Sequence, residues 1–232
     1  MTLAHLRRQL LLPACLYLLS AICNAQQVVV DTGHTTEKPG AIGPAGKREF
    51  DLNRQLAIAL VKALRAKGVS VTDVAAAGSP ASLQARTKDS SGAALFISIH
   101  HDSMQQAWLD AGRSREFSGY ALFVSASKPY YGRSLDCAKD ISRNMLAIGE
   151  HPSLYHATPI PGENRPLIDR TLGIHRFDDL VVLKTAESPA LLMEIGVLAN
   201  PDEEARLATR QFAERAADAI ASGIRQCLPA PQ

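Results

Sequence analysis

The chain shows no excess of charge of either sign, no cysteine framework and, beyond its first 25 residues, no long apolar run. Lys and Arg number 25 against 23 Asp and Glu, and two of the basic residues, Arg7 and Arg8, lie in a leading segment that holds no acid. The remainder carries 23 of each sign, so nothing in the balance favours nucleic acid or an anionic membrane surface as a partner. Four cysteines without any repeated Cys or Cys/His spacing exclude a zinc ribbon and a dense disulfide scaffold. His-Glu-x-x-His is also missing, which removes the common helical zinc-protease arrangement. There is no internal repeat, linker or second composition regime. What remains, 46% hydrophobic and 21% charged over 232 residues, is the composition of one globular domain with a substantial core, not of a disordered or multi-span chain.

The first 25 residues stand apart. Arg7 and Arg8 precede an apolar stretch from Leu10 to Ile22, followed by Cys23-Asn24-Ala25. This reads as a secretory signal cut after Ala25, too short for a comfortable membrane span. The expectation is an exported chain, periplasmic or extracellular, with residues 26–232 as one domain and no stable membrane insertion after cleavage. Cys137 and Cys227 remain in that domain. In an oxidising compartment they can pair or stay as free buried thiols, and the sequence leaves both open.

Val28-Val29-Val30 predicts a strand covered on both faces, ending at Thr32-Gly33-His34. Residues 35–46 hold Pro39, Gly40, Gly43, Pro44 and Gly46, which is loop chemistry. Leu52, Leu56, Leu60 and Leu64, with Gly68 as a stop, mark an amphipathic helix from Phe50 to Lys67, and Glu49 stands at its first turn. Further strands are predicted at Val69–Val74, Ala93–His100, Gly119–Ser125, Leu180–Leu183 and Ala190–Ile195. A small helix is predicted over Ser82–Thr87, a longer one around Leu135–Ile148, and another start at Asn200-Pro201. Phe212, Ala216, Ile220, Ile224 and Cys227 stripe a last helix. Met104–Ser118 reads as an exposed loop, and Glu150–Asp179 gives few regular signals. Strands alternating with helices point to an α/β fold: one domain, a twisted, mostly parallel sheet with helices on both faces and a site at the carboxyl ends of the strands.

Phe96-Ile-Ser-Ile-His-His-Asp102 is an apolar strand that ends in two imidazoles and a carboxylate. Neighbouring side chains on a strand point to opposite faces, so one of His100 and His101 reaches any given site. His34, Glu49 and one of these imidazoles together make a recognised ligand set for catalytic zinc, with a position left for water or substrate. Such a site needs a nearby carboxylate to move protons. Glu194 lies between Leu191-Leu192-Met193 and Ile195-Gly196-Val197, where an ionised group is costly without a partner.

Five stretches, Val28–His34, Pro39–Gly43, Gly46–Asn53, Phe96–Ser103 and Leu192–Pro201, follow the order and spacing of the zinc-dependent N-acetylmuramoyl-L-alanine amidases, the amidase_3 family of cell-wall hydrolases. The resemblance runs over nearly the whole chain after the signal. It implies one zinc ion per chain held by His34, Glu49 and His100, with Glu194 as catalytic acid/base. Asp102 matches a family acid suited to a hydrogen bond behind the ligands. It also implies hydrolysis of the amide between N-acetylmuramic acid and L-alanine in peptidoglycan, with an activator protein as a further partner; a monomer is expected. Around the first ligand the chain has Asp-Thr-Gly-His-Thr-Thr where the family commonly has Asp-Pro-Gly-His-Gly-Gly, a bulkier loop. Glu150–Asp179 occupies the place of the helix that covers the zinc in larger autoinhibited members, but lacks a long amphipathic pattern. The competing readings are a zinc peptidase cleaving within the stem peptide and a wall-binding protein of the same fold without activity. His151, His156 and His175, with Arg165, Arg170 and Arg176, either line a groove for an anionic peptide or cover a solvated loop. They stay outside the predicted site.

Overall fold

Val28, Val29 and Val30 are fully buried in β1 (Gln27–Thr32), as three β-branched residues in a row require of a strand with cover on both faces. In the computed structural model, which describes residues 27–74 and 82–229, β1 pairs in parallel with β2 (Ser70–Asp73) and β3 (Leu95–Asp102), and β3 pairs in parallel with β7 (Ala190–Val197). The signal expected over residues 1–25 lies outside the described residues. Beyond β7 the sheet continues with β4 (Ala121–Val124), antiparallel to β7, then β6 (Ile174–Arg176) and β5 (Leu167–Asp169), in the order β2-β1-β3-β7-β4-β6-β5. The carboxyl ends of β1, β3 and β7 therefore lie side by side. Register brings Asp31 beside Ser98, and His100 beside Glu194, on one face.

The two faces are covered unequally. Val28, Val30, Ile97, Ile99, Leu191 and Met193 point to three long helices: α1 (Glu49–Ala66), α3 (Tyr131–Ala147) and α6 (Arg210–Cys227). The four-residue leucine spacing of α1 is buried along its length, and Gly68, at φ 75°, closes it in the left-handed region that favours glycine. The opposite face, with Val29, Phe96, Phe123 and Leu192, carries the one-turn helix α4 (Val181–Thr185) and a short 3-10 helix at Gln84–Ser90. Leu180–Leu183, predicted as a strand, is instead the start of α4. Four apolar residues suit either conformation, and here Val182 and Leu183 bury against the sheet face instead of joining its edge. Met104–Ser118 differs as well: it holds the short helix α2 (Gln106–Asp110), Met104 is buried, and Trp108 and Phe117 pack with Tyr155. The helix α5 (Pro201–Leu207) starts as predicted, Asn200 accepting a hydrogen bond from the amide of Asp202.

Helices α3 and α6 approach at Gly223, where a β-carbon would lie 2.5 Å from the Cα of Ile141. Nearby, Cys137 of α3 and Cys227 at the end of α6 form a disulfide across 90 residues of sequence. Of the two alternatives the sequence left, the paired one holds. On the chain-entropy account a loop of that length contributes about 4–5 kcal/mol by restricting the unfolded chain. The double substitution Cys137→Ser/Cys227→Ser, or reduction of the parent, is expected to lower the urea midpoint by a corresponding amount. A midpoint indifferent to reductant would show that the bond is not made in solution.

Candidate metal centre

His34 leaves β1 through Gly33 and takes φ 67°, a left-handed conformation that costs a residue with a β-carbon about 1–3 kcal/mol. Its ring meets that of His100 edge-on, with centroids 4.9 Å apart. Gly33 makes room for this, since a β-carbon there would come within 2.4 Å of the His100 ring. Loop 35–46 folds back on the start of α1: Glu49 donates its amide to Ala41 O and Phe50 to Pro39 O, each at 2.9 Å. Gly40, at φ 76°, passes so close that a β-carbon would sit 2.3 Å from Glu49 Oε2.

The Glu49 carboxylate is nearly buried and its two oxygens do different things. Oε2 accepts the amide of Ala41 at 3.0 Å. Oε1 lies 3.0 Å from His34 Nε2 and 3.0 Å from His100 Nδ1. Burial alone would raise this carboxyl, but hydrogen bonds with His100 and His34, and their charges, hold it well below the usual carboxylate range. One donor atom from each of His34, Glu49 and His100 falls within 4.8 Å of the others. Tetrahedral coordination at ordinary metal–nitrogen and metal–oxygen lengths puts donor atoms about 3.3 Å apart, so small shifts would let these three hold a cation.

His101 points the other way. It is buried on the helix side, where Nδ1 meets Asn53 Oδ1 at 2.7 Å, and burial, the largest influence, pushes its imidazole down to about 3. Strand alternation thus separates the two adjacent imidazoles as the sequence suggests.

Glu194 stands beside His100 in the sheet register, and its Oε2 is buried without a hydrogen-bond partner. Burial first, then the charges of Asp102 and Glu49, push this carboxyl well above its ordinary range, while His156 pulls against them. A carboxyl so placed holds a proton more readily than an exposed one, which suits a group that takes up and returns a proton.

Asp102, expected to hydrogen-bond behind the ligands, touches neither His34 nor His100. The ladder between β3 and β7 shifts by one residue after His100, and the Asp102 carboxylate accepts from Ser103 N at 2.8 Å and meets His156 Nε2 at 2.7 Å. His156 Nδ1 meets Glu163 Oε2 at 2.8 Å. Both ring nitrogens face carboxylates, which accept only, so the ring is an imidazolium. Burial alone would lower it, but the charge of Asp102 and hydrogen bonds to Asp102 and Glu163 carry it up to about 10. His156 is the group that sequence reasoning left out, because its partner lies 54 positions away and its own segment has no periodicity. Of the accompanying residues, His175 is buried against Phe123, Arg165 stacks on Phe177 and Arg176 pairs with Asp178.

A cavity of about 190 Å³ opens beside His34 and His100, bounded also by Lys38, Ser82, Arg86 and Val182. A larger groove of about 570 Å³ lies between α1 and α6, lined by alanines such as Ala59 and Ala213 with Lys62, Arg210, Glu214 and Asp218, and no imidazole lines it. The chemistry belongs with the smaller one.

Residues 28–226 match the family model of Amidase_3, described as N-acetylmuramoyl-L-alanine amidase. The N-acetylmuramoyl-L-alanine amidase AmiC of Neisseria meningitidis is 25% identical over 225 residues, covering 87% of this chain and 52% of that protein. AmiA of Salmonella typhimurium, another N-acetylmuramoyl-L-alanine amidase, is 29% identical over 222 residues, covering 85% of this chain and 74% of that protein. The solved catalytic domain of CwlV, an N-acetylmuramoyl-L-alanine amidase of Bacillus (Paenibacillus) polymyxa, is similar at a TM-score of 0.66 and 26% identity, covering 87% of this chain and 97% of that one. The chain spans 52% of the length of AmiC and 34% of a Bacillus subtilis relative, so it compares with part of those proteins.

Replacing His156 with Ala leaves Asp102 and Glu163 without their shared counter-charge, a loss expected to cost about 3–5 kcal/mol at pH 7. Because the folded imidazolium titrates near 10, above its unfolded value, its contribution is complete below about pH 6.5 and is lost as the pH rises through about 10. Urea unfolding of parent and variant should therefore converge between pH 7 and pH 10. A constant gap would mean that the ring carries no charge.

Proposed function

The chain belongs to the Amidase_3 family of N-acetylmuramoyl-L-alanine amidases, and from that premise we propose that it hydrolyses the amide between N-acetylmuramic acid and L-alanine in peptidoglycan. In this reading His34, Glu49 and His100 hold one zinc ion and Glu194 is the catalytic acid/base. The observation that carries it is the pairing of Glu49 Oε1, 3.0 Å from each of two imidazoles, with a buried, partnerless carboxyl oxygen on the adjacent strand.

Two imidazole nitrogens and one carboxylate oxygen suit zinc, and they leave a coordination position for substrate or water. Bound there, the ion supplies Lewis acidity toward a carbonyl oxygen and brings the pKa of water down to about 7. The remaining work falls to this chain. Glu194, raised by burial and by its acidic neighbours, would accept the proton of the attacking water and give one to the departing nitrogen. Without that proton the leaving group would be an amide anion. The His156 imidazolium, paired with Asp102, opposes part of the rise that Asp102 causes at Glu194.

Among the described residues no helix is long and apolar enough to cross a membrane. The basic, then apolar, leading segment supports export, which places the chain on the side of the membrane where peptidoglycan lies. Peptidoglycan is the partner this reading requires, and an activator protein belongs with it through the family resemblance.

Purified peptidoglycan treated with the chain is expected to release intact stem peptides, seen by mass spectrometry, and chelator should stop the release. Shortened peptides still attached to glycan would instead identify a peptidase. Glu194→Gln should keep about one zinc per chain by elemental analysis while losing roughly 10²–10⁴-fold in rate. His100→Ala should lose the metal and His101→Ala should keep it. The reverse outcome would reassign the imidazole.

A further inference from the structure

The left-handed backbone at His34 has to be held against its own preference; Thr35 Oγ1 accepts the amide of Lys38 at 3.1 Å and secures the turn that follows, but not the carbonyls on either side of Gly33. The carbonyls of residues 32, 33 and 34 are each captured by a buried group from elsewhere in the fold. Asn53 Nδ2 donates to Gly33 O at 3.1 Å. Arg86, from the 3-10 helix on the thinly covered face, takes the other two: Nη1 donates to Thr32 O at 2.6 Å and Nη2 to His34 O at 2.5 Å. Nη1 also donates to Asp31 Oδ1 at 2.9 Å, and Ser98 Oγ donates to Asp31 Oδ2 at 2.6 Å. Arg86 is 4% exposed and Asp31 fully buried.

A buried ion pair of this kind is a poor source of net stability, because removing both charges from water costs about as much as their attraction returns. Its geometry has a different use. The guanidinium is planar, permanently charged and rigid, so one fork fixes the carbonyls on both sides of Gly33 relative to a carboxylate in the sheet. An ammonium on a flexible stem cannot hold the same three acceptors in one plane.

We propose that Arg86 is a positioning residue of the metal centre: through Thr32 O and His34 O it fixes the strained backbone that aims His34 Nε2 at the same point as Glu49 Oε1 and His100 Nδ1. Asp31 is the counter-charge that allows the guanidinium to be buried there. The inference rests on the zinc reading above. The alternative is that Arg86 only ties its 3-10 helix to the sheet, in which case its loss lowers stability and leaves the metal affinity of the folded chain unchanged.

Two variants of the full chain separate these, Arg86→Lys and the charge-neutral Asp31→Asn/Arg86→Gln. Ser90→Ala serves as control, since Ser90 Oγ accepts the amide of Glu187 at 3.0 Å and secures the same helix without touching residues 31–34. Zinc affinity is measured by competition with a chromophoric chelator, the melting temperature of the metal-free forms by calorimetry, and the coordination sphere by the visible absorption of cobalt-loaded protein. Removing a group that orients a ligand typically weakens metal binding roughly 10–100-fold. That loss, with an altered cobalt spectrum, is expected for both Arg86 variants, whereas Ser90→Ala should melt earlier and bind zinc as the parent does. Parent-like affinity in a folded Arg86 variant overturns the proposal. So does failure of both variants to fold, which would make the pair a requirement of the fold itself. A parent that binds no zinc would refute the metal centre, a result distinct from either.

Discussion

Acids buried at the carboxyl ends of parallel strands must each find a counter-charge or a set of amide donors, and much of the structure around the candidate site is the answer to that requirement. Asp31 has Arg86 and Ser98. Glu49 has two imidazoles and the Ala41 amide. Asp102 has His156, which Glu163 shares. Among the described residues, Glu194 Oε2 is the one buried carboxylate oxygen without a partner. The exception is informative because its neighbours show how readily this fold supplies partners. A carboxyl left unpaired amid so much compensation keeps its proton chemistry available.

The unequal cover of the sheet follows the same logic. One face is closed by three long helices whose apolar stripes pack against Val28, Ile97 and Met193. The other face carries a one-turn helix and a 3-10 turn, and it is on this side that Asp31, Ser98, His100 and Glu194 project in register. Polar groups occupy the thinly covered face near its carboxyl edge, Asp31 and Ser98 fully buried there and His100 partly exposed. They give way to Val29, Phe96 and Leu192 toward the middle, where nothing polar could be satisfied.

How much of this was legible in the chain depended on whether a signal was local. Three consecutive valines, a four-residue leucine spacing and an apolar run ending in His-His-Asp each fall within one element, so strand, helix and strand end could be placed from pattern alone. His34, Glu49 and His100 each sit at the end of a readable element, but it is the family resemblance that groups them and selects His100. Alternation along the strand says only that His100 and His101 face opposite sides. Leu180–Leu183 was misread because four apolar residues carry no period. Strands β5 and β6, of three residues each, were invisible for the same reason. His156 and Arg86 escaped because their roles lie in contacts made 54 and 52 to 55 residues away in sequence. Nothing in the segments around them distinguishes a buried clamp from a solvated side chain.

Helix α5 shows how far such a contact can alter the meaning of a local signal. Read alone, Asp202, Glu203 and Glu204 after Asn200-Pro201 are acids in a first turn, favoured by the helix dipole by a few tenths of a kcal/mol to about 1. In the fold the last two are buried and face opposite tasks. Glu204 accepts the amides of Ala45 and Lys47 at 2.6 and 3.0 Å, holding the loop whose far side meets Glu49. Glu203 accepts those of Gly119 and Val197 at 2.9 and 3.3 Å, joining the approach to β4 to the end of β7 beyond the register shift. Hydrogen bonds to a charged acceptor contribute about 1.5–3 kcal/mol each, several times the dipole effect. The clamp therefore outweighs the cap, and two adjacent carboxylates on a seven-residue helix fix the loop before one proposed ligand and the strand that carries the proposed acid/base. Gly196 permits it, because a β-carbon there would stand 2.7 Å from Leu207 and 3.0 Å from Glu203 Oε2, forcing α5 away from β7.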